Sequence, residues 1–285
     1  MKEKKFHASS IPVYLILIIW ALTTIYPLVW VVQNSFKGKD KILSQSFSLP
    51  LGELFTTANY QKAFSNLNIF GAYKNSIVIS CSVALFVIVF AGMAAFGLVR
   101  YQFRFRGFLN SMVIAAMMFP VYATIIPVFT MEAGWGITNT PSWSLTMLSV
   151  ILPQIAGNMA FAIVVLTGYI RGLPIELEEA AYMEGCNAFQ IFFKVIVPLT
   201  KPSFATVAIF SFLWSYNDLF TQMFFLRRPE MWAITRLLNQ LTSQEGTNYG
   251  LMAAAVTLVV VPVLIVYIFL QKYIIKGMTA GAVKG

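Results

Sequence analysis

Ionisable side chains are scarce in this chain of 285 residues. Only 11% of the residues are charged, against roughly 25% in a soluble domain. Histidine occurs once, at His7, and cysteine twice, at Cys81 and Cys186. A single histidine excludes histidine-cluster chemistry, and no motif joins the two cysteines into a disulfide framework or a zinc site. Hydrophobic residues make up 58% of the chain, which together with the low charge indicates an all-α integral membrane protein.

Catalytic and nucleotide-binding motifs are also missing. The sequence has no Walker glycine loop with its lysine, no H-E-x-x-H, no G-x-S-x-G and no C-x-x-C. Most carboxylates fall in predicted loops, so no acid pair is available within the membrane. These absences argue against a membrane-bound enzyme. They predict a non-catalytic chain that binds no metal and no cofactor, and whose energy source for any transport is a partner.

Basic residues outnumber acidic ones, with a formal net charge of +9. They are dispersed between apolar runs rather than gathered in one patch, so they suit bilayer anchors better than a nucleic-acid surface. The stretch from Met1 to His7 resembles the start of a signal peptide. The apolar run that follows is long and bulky, with no cleavage site before Asn34, and is interpreted as a retained first span.

Six apolar stretches are long enough to cross a bilayer, which takes ~20 residues. They cover residues 11–34, 75–99, 108–131, 143–170, 203–225 and 250–270. Prolines interrupt several of them: Pro120 and Pro127 break the third, Pro153 lies in the fourth and Pro262 in the sixth. Each proline either faces a neighbouring helix or cavity, or is a simple kink in a packed bundle.

The orientation follows from the basic residues. The short loop from Arg100 to Arg106 carries three arginines and no acid. Because short loops rich in Lys and Arg stay on the cytoplasmic side, this loop is predicted to be cytoplasmic. With six spans, both termini lie on that same side of a multi-pass protein.

An acidic island lies between the fourth and fifth spans, on the predicted cytoplasmic side. Residues 176–184 carry four of the eleven carboxylates. The pattern predicts two short helices with Gly185 between them, since glycine readily takes the left-handed conformation that ends a helix. Phe189, Phe192, Phe193 and Ile196 form an apolar stripe at helical spacing in the second helix. This arrangement is typical of a docking element.

Asp218 is the one acid within an apolar stretch, in the outer half of the fifth span. It indicates either a cavity or partner, because an ionised group is costly at that depth, or a helix cap at the outer headgroup level. The nearby Trp214 and Tyr216 suit sugar stacking or the interface. The candidate pathway residues are therefore Trp214, Tyr216, Asn217 and Asp218. Asp218 also motivates an alternative function, a self-sufficient secondary carrier of a small polar solute.

The island has a recognisable pattern. It reads Glu179-Ala180-Ala181, three residues, Gly185, nine residues, Val195, one residue, Val197-Pro198. This resembles the EAA loop of ABC importer permeases, Glu-Ala-Ala-x3-Gly-x9-Ile-x-Leu-Pro. The chain departs from it at two positions, with valine for isoleucine at 195 and valine for leucine at 197.

Further stretches resemble the carbohydrate branch of that family, in particular the smaller permease subunit of maltose-type transporters. They are Asn34–Lys37, Asn59–Phe64, Ala95–Arg100, Phe103–Arg104, Met118–Pro120, Trp214 with Asn217–Asp218, and the tail 277–285. The resemblance therefore covers nearly the whole chain.

The resemblance implies a type I ABC importer permease architecture. The chain would be one transmembrane domain, 1–285, with six transmembrane helices, a cytoplasmic coupling loop at 171–202 and a cytoplasmic tail at 271–285. Glu179 would contact an ATPase, Ala180 and Ala181 would allow close approach, and Gly185 would set the angle between the helices. Val195 and Pro198 complete the coupling motif. Gly281, Ala282, Val283, Lys284 and Gly285 would reach between ATPase subunits.

The resemblance also implies the assembly and its task. The chain would pair with a second homologous permease, two copies of a cytoplasmic subunit that uses ATP and Mg, and an extracytoplasmic solute-binding protein. It would sit among lipids of a bacterial-type inner membrane, without nucleic acid, and import a carbohydrate such as an oligosaccharide. The loop from Arg227 to Tyr249 matches the position of the family's loop that probes the binding protein. Which sugar passes is not encoded in any motif.

Overall fold

The computed structural model describes residues 11–244 and 248–282. Within these ranges the chain is helical, and none of the described residues lies in a β-strand. The helices are α1 Ile11–Ser35, α2 Lys39–Ser44, α3 Ala58–Asn66, α4 Ile69–Arg100, α5 Arg106–Met117, α6 Ile125–Gly134, α7 Trp143–Arg171, α8 Glu176–Met183, α9 Ala188–Ile191, α10 Val197–Leu199, α11 Lys201–Asn217, α12 Leu219–Phe225, α13 Ile234–Gln244 and α14 Tyr249–Ala282. Short 3-10 turns cover Gly52–Leu54, Val121–Thr124 and Pro229–Met231, and a π-helical segment, Phe192–Ile196, joins α9 to α10.

Four helices of the described chain are long and apolar enough to cross a bilayer: α1, α4, α7 and α14 as far as Phe269. Two bent pairs add to these. Arg106–Met117 meets Val121–Gly134 at 94°, and Ala188–Leu199 meets Lys201–Asn217 at 85°. The described chain therefore has up to six spans if each bent pair counts once. The prediction of an all-α membrane protein is confirmed at this coarser level.

The prolines act differently along the chain. The third apolar stretch breaks at Pro120, which is extended at the start of the turn before α6. The second break predicted there, at Pro127, is wrong: Pro127 lies in the first turn of α6, where its missing N–H costs no intrahelical bond. Pro153 and Pro262 lie inside α7 and α14, which continue through them.

The chain packs as two compact units. Among the described residues, one comprises 11–68, 238–244 and 248–262, and the other comprises 69–237 and 263–282. The assignment of 1–285 to a single transmembrane domain stays a prediction.

The first unit is organised around a buried lysine just after α1. Lys37 is fully buried, and its ammonium donates to Asn34 Oδ1 at 3.0 Å and to the carbonyl oxygens of Gln45 at 2.8 Å and Ser46 at 3.2 Å. Burial lowers the pKa of Lys37. Asn59 Nδ2 donates to the carbonyl oxygen of Lys37 at 2.8 Å. The cation therefore finds oxygen partners in place of water, as a buried charge requires.

The second unit is built on α4, which packs against α7 and α11. One ridge of α4 consists of residues spaced four apart, and all of them are fully buried: Ile79, Val83, Val87, Ala91 and Ala95. A ridge at a spacing of four residues fits into the groove of a neighbouring helix. This packing holds the ends of α4, α7 and α11 in fixed positions, and the two candidate regions below lie at those ends and breaks.

Candidate functional site

The α8–α9 element contains the acidic island. Glu176, Glu178 and Glu179 occupy the first turn of α8, where the helix dipole favours negative charge. α8 ends at Met183, and Gly185, two residues later, has a φ of +78°. The amide of Gly185 donates to the carbonyl of Tyr182 at 2.9 Å, and the amide of Cys186 donates to the carbonyl of Ala181 at 3.0 Å. These two bonds form a Schellman motif, which satisfies carbonyls at the helix end and turns the chain.

The second helix begins with a reciprocal cap. Asn187 Oδ1 accepts from the amide of Gln190 at 2.9 Å, and Gln190 Oε1 accepts from the amide of Asn187 at 2.8 Å. This capping box satisfies two donors that would otherwise lack partners at the helix start. It fixes the N-cap of α9 at Asn187, two residues after the glycine.

The apolar stripe predicted in this second helix is divided in the structure. Phe192 and Ile196 are buried, whereas Phe189 and Phe193 are 63% and 52% exposed. Ile191, which the predicted stripe left out, is fully buried. The buried face is therefore shifted to one side, towards Ile191. The π-helical segment that begins at Phe192 departs from the regular α-helical period on which the stripe was predicted.

An ion pair ties α8 to the end of α4. Glu178 is only 5% exposed, and its Oε1 accepts from Arg100 Nε at 2.6 Å. Arg100 Nη2 also donates to the carbonyl of Leu173 at 2.9 Å, just after α7. Glu178 was not singled out from the sequence, where it is one of three similar acids. The arginine-rich loop predicted on the same side as the island is the signal that could have found its partner.

A second link lies beside the ion pair. The hydroxyls of Tyr101 and Tyr182 are 3.0 Å apart. The hydrogen bond with Tyr182, together with burial and nearby negative charge, raises the pKa of Tyr101 to about 12. Tyr101 thus keeps its proton at physiological pH and remains paired with Tyr182.

The opposite face of the α8–α9 element is uncovered in the chain. Glu179 and Ala180 are exposed, in contrast to their neighbour Glu178. Large apolar side chains of the same element are exposed as well, with Met183 at 88% exposure. The others are Ile175, Leu177, Phe189 and Phe193. Exposed apolar side chains of this kind, with a carboxylate among them, are typical of a protein-docking face.

A cavity of about 580 Å³ lies elsewhere in the same unit. It forms where the turn before α6, the middle of α7 and the break between α11 and α12 come together. Its lining residues are Pro120, Val121, Tyr122, Thr124, Ile125, Val128, Pro153, Gln154, Gly157, Asn158, Trp214, Ser215, Asn217, Asp218, Thr221 and Phe225. The size and the mixture of apolar walls with a few polar groups suit a small-molecule site.

Asp218 occupies the break and belongs to a polar network. Its Oδ1 accepts from the amide of Thr221 at 3.1 Å, which caps α12. Its Oδ2 accepts from Gln154 Nε2 at 3.0 Å, and Gln154 Oε1 accepts from Ser215 Oγ at 2.6 Å. Asp218 therefore caps a helix and lines a cavity at once, while its position at the outer headgroup level stays a prediction.

Comparison with known proteins gives the chain its family. A sequence model of the binding-protein-dependent transport system inner membrane component matches residues 88–280. The chain belongs to this family. It is a membrane permease component of ABC transporters.

Individual relatives align along nearly the whole permease. The diacetylchitobiose uptake system permease protein NgcG of Streptomyces coelicolor is 32% identical over 282 residues, which are 98% of this chain and 89% of the relative. The arabinooligosaccharides transport system permease protein AraQ of Bacillus subtilis is 29% identical, with 99% of this chain and 98% of the relative covered.

The fold of the permease also matches a solved structure. That structure is a bacterial ABC transporter involved in the import of the acidic polysaccharide alginate. One of its chains superimposes with a TM-score of 0.79 at 23% identity, covering 95% of this permease and 99% of that chain.

The structure brings together some of the predicted pathway residues of the permease. Trp214, Asn217 and Asp218 line the cavity. Tyr216 does not: it is 4% exposed and stacks on Phe212 with ring centroids 5.9 Å apart. Residues one or two positions apart in a helix point in different directions, so Tyr216 does not share the cavity face with Trp214 and Asn217.

Two amides in α7 were missed by sequence reasoning. Gln154 and Asn158 both line the cavity and are buried, at 4% and 8% exposure. The sequence does carry a signal for this polar face, because two amides four residues apart in an apolar stretch share one face of a helix. Asn158 Nδ2 donates to the carbonyl of Gln154 at 2.7 Å.

The remaining predicted sites concern metals and the tail. Among the described residues, no group of three or more His, Cys, Asp or Glu side chains can hold a metal ion. Of the predicted tail contact, Val283, Lys284 and Gly285 lie outside the described residues. Gly281 and Ala282 are the last residues of α14.

Proposed function

We propose that this permease is the transmembrane subunit of an ATP-driven importer of a carbohydrate, such as an oligosaccharide. The observation that carries the proposal is the α8–α9 element, which is anchored through Glu178 and presents Glu179 with an apolar surface on its open face. In a binding-protein-dependent permease without a nucleotide motif, that face is the place for a partner ATPase. The relatives named for diacetylchitobiose and arabinooligosaccharides support a sugar as the substrate.

Contacts within the second unit support the proposed topology. The Arg100–Glu178 pair and the Arg100–Leu173 bond place the ends of α4 and α7 on one face. Asn75 Oδ1 accepts from Trp143 Nε1 at 2.8 Å, which places the starts of the same two helices at the other face. Since α4 and α7 run in the same direction, the bent pair α5–α6 between them crosses the membrane once.

The same reasoning applies to the fifth crossing. Asn75 Nδ2 donates to the carbonyl of Trp232 at 3.1 Å, so the chain after α12 returns to the face where α4 starts. The segment from α8 to α12 therefore crosses once. With α1 and α14 as further spans, the proposal has six crossings, a type I architecture, and both termini in the cytoplasm with the arginine-rich loop.

The proposed mechanism uses the α8–α9 element as the coupling element. Two ATP-binding subunits, which use ATP and Mg, act on this permease and on a second homologous permease. Glu179 contacts one ATPase subunit, and the tail from Gly281 to Gly285 reaches between the two. Movement of α8 is passed to α4 through Glu178. The cavity at Asp218 is then opened alternately to a solute-binding protein outside and to the cytoplasm.

Charge reversal on the open face tests the coupling role. In the assembly reconstituted with all its subunits, we expect Glu179→Lys to lower solute-stimulated ATP hydrolysis and sugar uptake at least about tenfold, because it replaces an attractive contact with a repulsive one. Glu53→Lys is the matched control, since Glu53 is exposed in the turn Gly52–Leu54 and lies outside both the α8–α9 element and the loop from Arg227 to Tyr249. It should keep both activities.

A pair of glycines separates backbone strain from coupling in the same assay. Gly185 and Gly136 have similar φ values, +78° and +73°, and an added Cβ meets nothing within 4 Å at either. Alanine at each costs about 1–2 kcal/mol of stability. Only Gly185→Ala should uncouple hydrolysis from uptake. The proposal is contradicted if neither Glu179→Lys nor Gly185→Ala uncouples hydrolysis from uptake. It is also contradicted if this chain alone takes up solute under a proton gradient.

A further inference from the structure

The cavity at the start of α12 carries a single charged group, which is negative. Asp218 is the only charged side chain among the described residues that line it, with no lysine, arginine or histidine beside it. The other polar groups are amides and hydroxyls, chiefly Gln154, Asn158 and Asn217, while Tyr122 and Trp214 supply aromatic surface. The electrostatic sign of the cavity is therefore set by one carboxylate.

That carboxylate is held as an acceptor. Both of its hydrogen-bond partners, the amide of Thr221 and Gln154 Nε2, are donors, so each carboxylate oxygen acts as an acceptor. Gln154 is fixed in this orientation because it is buried and its Oε1 accepts from Ser215. Neither ion pair found among the described residues involves Asp218. The negative charge is thus fixed at the wall and is not neutralised by a cation.

One more acceptor in the wall lacks a donor. Asn158 Oδ1 is buried and has no hydrogen-bond partner among the described residues, although Asn158 Nδ2 is bonded to the carbonyl of Gln154. A buried polar atom without a partner is costly. A hydroxyl group can donate to such an oxygen and to Asp218, whereas an ionised carboxylate only accepts. The wall therefore matches hydroxyl groups and opposes anions.

We propose that this cavity admits uncharged polyhydroxylated sugars and excludes uronic-acid sugars, with Asp218 as the residue that determines this specificity. The proposal rests on the proposed function for the passage of a sugar. Asp218 and Asn158 accept hydrogen bonds from sugar hydroxyls, and Gln154 positions the Asp218 carboxylate. The exposed ring of Trp214 faces the apolar side of a sugar ring. The selectivity is opposite in sign to that of the alginate importer with the same fold.

Cysteine modification measures the charge preference without knowledge of the natural sugar. Thr124 lines the cavity, so Thr124→Cys is introduced with Cys81→Ser and Cys186→Ser in the complete assembly, purified in detergent. Cationic and anionic methanethiosulfonate reagents are compared, each relative to its rate with a free thiol. We expect the cationic reagent to react at least about tenfold faster, because a fixed charge in a low-dielectric cavity acts strongly on a nearby ion.

Two further variants assign the preference to Asp218. Asp218→Asn keeps an acceptor for the Thr221 amide, so the cap of α12 is retained, and it should bring the rate ratio close to one. Glu230→Gln removes an acid outside the cavity lining and should leave the ratio unchanged. No cationic preference, or a preference that survives Asp218→Asn, overturns the proposal.

Protection by sugars tests the chemical class. A neutral maleimide modifies Thr124→Cys in the presence of maltotriose, arabinotriose, diacetylchitobiose or trigalacturonate at equal concentration. At least one neutral sugar should slow modification at least about twofold, while trigalacturonate should not. Equal protection by trigalacturonate overturns the proposal. Protection by none overturns it too, whereas the proposed function would still be upheld by ATP-driven uptake in the complete assembly.

Discussion

Glu178 and Glu179 are adjacent in the sequence and have opposite surroundings. Glu178 is buried against Arg100, while Glu179 is exposed on the open face of α8. Successive residues of a helix point about 100° apart, so one of the acids in this turn must face inward when the helix packs. The family resemblance implied that Glu179 contacts a partner, but the sequence did not show which acid is buried, because Arg100 lies 78 residues from Glu178.

The Arg100–Glu178 pair lends itself to a double-mutant cycle. Its side chains are only 11% and 6% exposed, so removal of one partner leaves a buried charge without compensation. We expect Glu178→Gln or Arg100→Gln alone to destabilise the protein by about 3 kcal/mol, and the double variant to cost clearly less than the two combined. Thermal unfolding of the purified assembly provides the measurement. Additive losses would show that the pair contributes nothing of its own.

At the scale of elements, α4 has one position where a side chain does not fit. A Cβ on Gly92 would lie 2.7 Å from Phe204 Cε1 and 3.0 Å from Phe192 Cζ. Both rings are buried and cannot move aside freely. Gly92 therefore permits the close approach of α4 to α11 and to the π-helical segment after α9.

Two alanine substitutions in α4 should have opposite effects. Gly92→Ala is expected to destabilise the assembly by about 1–3 kcal/mol through overpacking. Gly97→Ala, where a Cβ meets nothing within 4 Å, should stabilise the helix by up to about 1 kcal/mol. Thermal unfolding temperatures distinguish the two. A stabilising Gly92→Ala would mean that the rings yield and that the contact does not limit packing.

The elements differ in how far local sequence determines them. Apolar length predicts the bounds of α1 and α7 closely. In lipid the backbone N–H and C=O groups must hydrogen-bond to one another, and a helix achieves this. Apolar length predicts the fifth stretch, 203–225, as one continuous span. In the structure α11 ends at Asn217, because Asp218 caps α12 and its second oxygen accepts from Gln154 on α7. Hydropathy does not register such a cap, and no local signal marks the π-helical segment after α9.

For the whole molecule, the network at Asn75 and the ion pair at Arg100 define two faces. Single cysteines in a cysteine-free background test which face is cytoplasmic. We expect Trp135→Cys and Glu230→Cys to be labelled in intact cells by a reagent that does not cross membranes. Phe105→Cys and Met183→Cys should be labelled only after permeabilisation, because Phe105 lies in the arginine-rich loop and Met183 in the α8–α9 element.

All four positions are exposed in the chain, so accessibility alone does not separate them. Labelling of Met183→Cys from outside would invert the proposed topology. Labelling of Phe105→Cys and Trp135→Cys from the same side would mean that α5 and α6 form a re-entrant loop rather than one crossing.

The turn at Gly185 has a mechanical consequence. The carbonyl of Ala181 on one side and the amides of Asn187 and Gln190 on the other are all hydrogen-bonded, so few soft torsions remain between α8 and α9. We therefore expect α8 and α9 to move together as a rigid pair. A displacement of α8 would then be carried to Phe192, at the close contact with α4.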